Sequence, residues 1–180
     1  MEAEERRKQM ALIERARGEV AKAVRDVMAN FRALGIDAYV KVPDIKEKLA
    51  YIVIPNTEIV DFMMRKVASH LKKVDRNIST KGGILDEFVV IKAICTSDIK
   101  LEDVNRSIEK FVEEMKKNEI NSTVSIRGDD YVTVSVLVNY LDISKYLGRE
   151  VSKVVSRNNP RVGIACHVEN DMFVVRITAR

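Results

Sequence analysis

The side chains that most often perform acid–base, nucleophilic or metal chemistry are few in this sequence. Its two histidines are His70 and His167, and its two cysteines are Cys95 and Cys166. Only Cys166 and His167 are neighbours, and adjacent residues of a strand point to opposite faces, so this pair is poorly suited to bind one metal ion. Both cysteines lie in β-rich segments and are typical of small buried hydrophobic residues. We therefore predict no metal site.

Two glycine-containing segments resemble functional motifs, but both predict turns. The segment KGG, Lys81 to Gly83, is too short for a phosphate-binding loop and leads into a strand rather than a helix. The segment RGDD, Arg127 to Asp130, lies between two strand patterns, where Gly-Asp is ordinary turn chemistry. No nucleophile with a base, paired acid or phosphate loop is visible, so we predict a protein that is not an enzyme and needs no cofactor.

Cationic and hydroxyl-bearing residues form a pattern that favours binding. Where strands alternate in the second half of the chain, the positions opposite the apolar ones hold arginine, hydroxyl and amide side chains, and we expect no carboxylate among them. Lysine and arginine contact phosphates, and tyrosine rings stack on bases. The candidate nucleic-acid-binding residues are Tyr39, Lys41, Lys81, Lys92, Arg127, Tyr131, Arg161, Arg176 and Arg180. The same composition is also typical of a plain solvated strand face or of a protein interface.

Some apolar residues fall on or near this same face. By strand alternation they are Val53, Phe88, Val90 and Leu137. We expect these residues to be covered, through a bulge in the strand, by the partner repeat or by another subunit.

These residues lie on elements that recur along the chain. At an offset of 84 residues, apolar positions of two helices and two strands match, and at 85 a following hairpin matches, including DEFVV with DMFVV. Each copy reads helix, strand, strand, helix, strand, strand. We predict an α+β fold made by tandem duplication, with repeats at 18–95 and 102–180 and a linker at 96–101. The repeats form a pseudo-dimer with antiparallel sheet, in one broad sheet or in two.

The N-terminal extension, residues 1–17, has no counterpart in the second repeat. An apolar seam at helical spacing includes Met10, Ile13 and Val20, which predicts one long helix that continues into the first repeat. Gly18 weakens this helix, and a kink is expected there. In one interpretation the extension packs on its own domain. In the other, Met10, Ile13 and Val20 form a coiled-coil or helix-swapping contact that makes a homodimer.

The composition limits the classes of protein to which the chain can belong. With 46% hydrophobic and 32% charged residues, it is expected to fold, and its Ile-, Val-, Lys- and Glu-rich, tryptophan-free content resembles that of thermophile proteins. No apolar run approaches the roughly 18 residues of a membrane span, and the charged N-terminus is unlike a signal peptide. We expect a cytoplasmic protein with no membrane partner. The net charge of +4 permits a polyanionic partner.

Three hypotheses about function follow. The favoured one is a non-enzymatic protein that binds DNA or RNA through the basic, hydroxyl-rich strand face. The second is an assembly protein in which this face and the N-terminal helix make homo- or hetero-oligomeric contacts. The third is an enzyme or small-ligand binder that uses a cleft between the repeats.

Overall fold

The computed structural model describes residues 1–15, 18–44, 48–96 and 98–180. The helices within these ranges are α1 (Glu2–Arg15), α2 (Glu19–Ala33), α3 (Asn56–Leu71), α4 (Leu101–Lys117) and α5 (Tyr140–Asn158). The strands are β1 (Tyr39–Asp44), β2 (Leu49–Pro55), β3 (Ser79–Leu85), β4 (Phe88–Cys95), β5 (Ser122–Gly128), β6 (Val132–Asn139), β7 (Val162–Glu169) and β8 (Met172–Ala179). The predicted α+β class is confirmed. Residues 16 and 17 of the predicted extension and residue 97 of the predicted linker lie outside the described residues.

The strands form two antiparallel sheets of four strands each. The first sheet has the order β1-β2-β8-β7, and the second has the order β3-β4-β6-β5. Each sheet therefore takes one hairpin from each predicted repeat, joined by the pairs β2–β8 and β4–β6. The chain accordingly divides into a first unit, Met1–Glu58 with Leu147–Arg180, and a second unit, Ile59–Tyr146.

Matching backbone contacts recur 84 residues apart in the two units. The amide of Ile36 donates to a carbonyl five residues earlier at the end of α2, and the amide of Ile120 does the same at the end of α4. The preceding residues, Gly35 and Glu119, have φ angles of 74° and 58°. A residue in this left-handed conformation is typical of the C-terminal end of a helix with this hydrogen-bond pattern.

In a second pair of contacts, a residue one or two positions before a strand is bound to the start of the helix that follows the hairpin. The amide of Asp37 donates to Oε2 of Glu58 over 3.2 Å, and the amide of Asn121 donates to Oδ2 of Asp142 over 3.0 Å. Glu58 and Asp142 occupy the same place in α3 and α5. The two units are therefore roughly duplicated.

In both sheets the central strands bury one face beneath helices, and the other face is mainly exposed. The strand β4 buries Val89 and Ile91 and exposes Lys92, whereas β8 buries Val175 and exposes Arg176. The period of two that the sequence shows in these strands is therefore the period of burial. The α2 helix packs on the buried side of the first sheet, and α4 packs on β5 in the second.

The N-terminal helix is not the single long helix that the apolar seam predicts. The first helix ends at Arg15 and the second begins at Glu19, with Gly18 between them at a φ of 145°. Residues other than glycine rarely adopt this backbone conformation. Glycine at position 18 therefore permits a break between the two helices, where the sequence predicted a kink in one helix. The α1 helix packs on β1 and α2 of its own unit. Ile13 is buried there, and its carbonyl accepts a hydrogen bond of 3.0 Å from Arg25.

The KGG segment is part of a strand, which corrects the prediction of a turn. Gly82 and Gly83 lie within β3, and the turn is formed by Asp86 and Glu87. A Cβ atom at Gly82 would lie 2.6 Å from Sδ of Met64 and 2.9 Å from Cγ1 of Val60, whereas one at Gly83 would have no neighbour within 4 Å. Glycine at position 82 thus lets α3 approach the strand closely.

We expect Gly82→Val to destabilise the protein more than Gly83→Val. Valine at position 82 overlaps Val60 and Met64, and overpacking of this kind costs about 1–3 kcal/mol. Valine at position 83 lies on the exposed face and serves as the matched control. Urea unfolding of the two variants measures the difference. Equal destabilisation would contradict the close approach of α3 to β3.

A buried carboxylate holds the end of β4 in the second unit. Asp75 accepts hydrogen bonds from the amides of Thr96 at 2.8 Å and Asn77 at 2.9 Å. The hydrogen bond from Thr96 is the main reason that the pKa of Asp75 lies below its ordinary value. Burial acts to raise this pKa, but the hydrogen bonds outweigh it. The matching residue of the first unit, Asn159, is also buried and donates to Oδ2 of Asp26 over 2.9 Å.

The stabilisation that Asp75 provides should depend on pH. Its pKa is depressed in the folded state, so the contribution is fully present above the unfolded value of 3.8 and is lost as the pH falls through the folded value. We expect Asp75→Asn to lower the free energy of unfolding at pH 7 by about 1–3 kcal/mol. The difference from wild type should shrink on acidification. Denaturant titrations between neutral and acid pH measure it, with Asp61→Asn, exposed on α3, as control. A difference that is constant with pH would rule out this role.

Candidate nucleic-acid interface

The exposed face of the second sheet is built from rows of residues that lie opposite one another across its strands. One row runs through β3, β4, β6 and β5 and consists of Lys81, Lys92, Ser135 and Ser125. The next row consists of Ser79, Ile94, Thr133 and Arg127. The side chains of Lys81, Lys92 and Arg127 are exposed. Three of the predicted cations therefore share one face.

This face of the second sheet contains no carboxylate among its strand residues, all of which lie in the described ranges. The outward residues are Ser79, Lys81, Gly83, Leu85, Phe88, Val90, Lys92, Ile94, Thr123, Ser125, Arg127, Thr133, Ser135, Leu137 and Asn139. Its charge is therefore positive, and its other polar groups are hydroxyls and one amide. Such a field attracts anions.

Apolar side chains flank the cationic row on the same face. Leu85 is 65% exposed, Ile94 and Leu137 are also exposed, and Phe88 and Val90 are half-buried. The sequence places Phe88, Val90 and Leu137 here and predicts that something apolar covers them. Other parts of the chain cover these three residues only partly. This face of the second sheet therefore exposes both cationic and apolar side chains.

The exposed face of the first sheet has different residues at its centre from those of the second sheet. Its middle row consists of Lys41, Tyr51, Arg176 and Ala165. Lys41 and Arg176 are exposed, and Tyr51 is half-buried between them. Sequence reasoning missed Tyr51, although its alternation with the core residue Ile52 was a sufficient signal.

A carboxylate does lie on the outward side of β7, which corrects the expectation that none would. Glu169 has the same parity as His167, and its Oε2 lies 3.1 Å from Nε2 of that histidine. The carboxylate-free composition therefore holds for the strands of the second sheet and not for those of the first.

Tyr39 lies on the exposed face of the first sheet, but its ring already has partners within the protein. The Arg6 guanidinium of α1 lies 4.6 Å from the ring centroid, and Nζ of Lys41 lies 5.8 Å from it. The hydroxyl is 3.3 Å from Sδ of Met172 on β8, so the side chain reaches across β2. Val53, opposite Tyr39 in β2, is only 3% exposed. The apolar cover expected for Val53 is thus supplied by Tyr39.

The other candidate residues lie at the ends of strands. Tyr131 is 57% exposed in the bend after β5, where the RGDD segment predicts a turn. Arg161 and Arg180 are exposed at one end of the first sheet, where the amide of Arg180 donates to the carbonyl of Arg161 over 2.9 Å. The structure brings Arg161 and Arg180 together and places Tyr131 after the strand that holds Arg127.

The residues predicted to mediate oligomerisation lie in the first unit. Ile13 is buried, whereas Met10 and Val20 are half-buried. Ile13 and Val20 line a cavity of about 420 Å³, together with Arg161 and Arg180. Ile13 is therefore already used in packing α1 on its own unit.

Among the side chains that could take part in catalysis, His70 and Glu114 pair with each other. In the second unit, Nε2 of His70 lies 2.9 Å from Oε2 of Glu114, and Nζ of Lys66 lies 3.2 Å from Oε1. Burial acts to raise the pKa of Glu114, but the hydrogen bonds from His70 and Lys66 outweigh it and lower this pKa. Cys95 is buried as predicted, and burial raises the pKa of its thiol, whereas Cys166 is exposed, which corrects the prediction that both cysteines are buried. The described residues contain no group of three or more His, Cys, Asp or Glu side chains arranged to hold a metal ion.

In the part of the chain that the structure describes, no helix is long and apolar enough to cross a membrane.

We expect Tyr39→Ala to destabilise the protein, because it uncovers Val53 and removes the ring on which Arg6 packs. Tyr39 is half-buried, so the loss should be about 1–3 kcal/mol, below the roughly 3–5 kcal/mol of a fully buried aromatic residue. Tyr39→Phe keeps the ring and should cost less than about 1 kcal/mol. Urea unfolding compares the two variants. Wild-type stability in Tyr39→Ala would show that the ring is not the cover of Val53.

Comparison with known proteins provides no family for this chain. No family model matches it, and searches of curated proteins and of solved structures found no match. The function is therefore inferred from the chemistry of the chain's own residues.

Proposed function

We propose that the protein binds nucleic acid, DNA or RNA, through the exposed face of the second sheet and does not catalyse a reaction. The observation that carries the proposal is the row of Lys81 and Lys92, beside Arg127, on a strand face without a carboxylate. Lysine and arginine provide most of the contacts that proteins make with phosphates.

The placement of the cations suits a phosphate backbone. Lys81 and Lys92 are directly opposite on neighbouring antiparallel strands, where Cβ atoms lie about 4.5–5.5 Å apart. Two like charges at this spacing repel each other, and a phosphate near both would relieve the repulsion. Ser135 and Ser125 continue the same row and offer hydroxyls to sugar or phosphate oxygens.

The apolar residues of this face support binding of an unpaired strand. Phe88, Val90 and Leu137 flank the cationic row, and Phe88 is the aromatic residue among the outward positions of these strands. Bases of a single strand are free to pack on such side chains, whereas those of a duplex are stacked on one another. An exposed Tyr131 offers a further ring for stacking.

The first sheet carries its own set of exposed cations, which we include in the proposal as a separate binding surface. Lys41, Arg161, Arg176 and Arg180 are exposed there, and the row that holds Lys41 and Arg176 contains no carboxylate. The ring of Tyr39 is not proposed to stack on a base, because Arg6 already packs against it.

The apolar content of the second sheet's face supports a second candidate function, assembly through this face. Leu85, Ile94 and Leu137 are exposed on it, which favours contact with another protein surface. In this case the face would join copies of the chain or a different protein. An oligomer that is disrupted by Leu137→Glu, together with absence of nucleic-acid affinity, would favour assembly.

We also propose that a tandem duplication of a helix-strand-strand-helix-strand-strand unit gave rise to the chain, with each sheet acting as a pseudo-dimer of two hairpins. The paired contacts of Asp37 with Glu58 and of Asn121 with Asp142 support this origin. The repeat limits 18–95 and 102–180 stay a prediction.

The proposed site predicts a salt-dependent affinity that two charge reversals weaken. We expect Lys81→Glu with Lys92→Glu to weaken binding of single-stranded oligonucleotides by about tenfold or more, and to reduce the slope of log K against log salt by about 0.7 for each phosphate that the variant no longer neutralises. Fluorescence anisotropy across salt concentrations measures both quantities. The charge-matched control is Lys72→Glu with Lys73→Glu, exposed just after α3.

The same titration with the double variant Arg176→Glu and Arg180→Glu measures how much the first sheet contributes to the affinity for oligonucleotides. Circular dichroism of each variant confirms that it is folded. If wild-type protein shows no affinity for single- or double-stranded oligonucleotides at low salt, the proposal fails.

A further inference from the structure

A groove of about 510 Å³ runs between α4 and the edge strand β5 in the second unit. Ile108, Val112, Val124 and Ile126 contribute its apolar surface. Ile108 is buried, but the other three residues are half-buried. Apolar side chains therefore reach solvent on the helix side of this sheet, away from the cationic face.

The matching place in the first unit is covered by a helix. There α2 and β1 take the positions of α4 and β5, and α1 packs against both. Val40 and Met28 are 1% and 8% exposed. Their counterparts 84 residues later, Val124 and Val112, are half-buried. The fold thus already contains one example of a helix in this kind of groove, with Ile13 as its buried anchor.

The charge at the two grooves differs. On α4, Glu109 and Glu113 line the groove one helical turn apart and are exposed, with Lys116 at the next turn. The first unit has Arg25 and Ala29 at the positions of the two glutamates. An occupant of the second groove therefore meets two carboxylates at positions where the first unit has an arginine and an alanine. Basic side chains at i and i+4 on the occupant would complement them.

The α1 helix of another copy is a poor match for this requirement. Its sequence EAEERRKQMALIER contains four glutamates beside four basic residues. It is also engaged in its own unit, where Arg6 lies on Tyr39 and the carbonyl of Ile13 is bound by Arg25. The occupant is accordingly sought in a different protein.

We propose that the groove between α4 and β5 binds an amphipathic helix of a partner protein, with an apolar stripe against Val112, Val124 and Ile126 and basic residues facing Glu109 and Glu113. Helix-in-groove binding of this type needs anchors at i, i+3, i+4 and i+7. This surface is separate from the cationic face of the second sheet, and it gives the protein a means of joining a partner while that face is occupied.

The test uses the full-length protein and three labelled synthetic peptides. The first has the sequence of residues 1–15, the second has lysine in place of its four glutamates, and the third is a scrambled form of the second, with equal charge and no apolar stripe. We expect only the second to bind well by fluorescence anisotropy. Glu109→Gln with Glu113→Gln, which keeps side-chain shape, should weaken it by about fivefold. Asp129→Asn with Asp130→Asn, exposed in the bend after β5, removes the same charge elsewhere and should have no effect.

Three results would overturn the proposal. If the scrambled peptide binds as tightly as the ordered one, the attraction is only electrostatic and the groove is not its site. If the unmodified 1–15 peptide binds best, or the full-length chain self-associates and ceases to do so on Glu109→Gln with Glu113→Gln, the occupant is a second copy. Oligonucleotide affinity should be unchanged in the glutamine variant, which keeps this outcome distinct from that of the proposed function.

Discussion

The pairing of β2 with β8 and of β4 with β6 is the interaction on which the rest of the structure depends. A two-stranded hairpin is only marginally stable in water, whereas four strands with one covered face are stable. Each hairpin of this chain obtains the other two strands from a hairpin that lies in the other predicted repeat. The first unit therefore needs residues from both ends of the chain, Met1–Glu58 and Leu147–Arg180.

The register of these pairs also decides what each sheet exposes. Pairing of Lys92 with Ser135 aligns the lysines of one hairpin with the hydroxyls of the other. A slip of one residue would turn the valines of β6 to solvent and the serine and threonine residues to the core. Burial of the valine side of β4 and β6 is thus the physical reason that the cations of the second sheet occupy one face.

The two units are roughly duplicated in their framework, but they differ at their surfaces. In the first unit α1 covers the edge of β1, and Arg6 packs on Tyr39. The second unit has no such helix among its described residues, and it leaves open both a groove beside β5 and a strand face without carboxylates. The second unit therefore has less internal cover than the first at these two surfaces.

The sequence by itself determined the type of most elements and the side of each that is buried, because the spacing of apolar residues along one helix or strand decides which of its sides turns away from water. This was enough to place Lys81, Lys92 and Arg127 outward, and it would have placed Tyr51 as well. The exceptions are the segment Lys81 to Gly83, which belongs to a strand and not to a turn, and the predicted long N-terminal helix, which is two helices. Only the tertiary structure decided which hairpins share a sheet, that α1 packs on β1 and α2 of its own unit, that Gly82 lies beneath α3 and that Arg6 contacts Tyr39. These features depend on contacts between distant residues, and periodicity along a chain carries no information about which distant element will supply the partner.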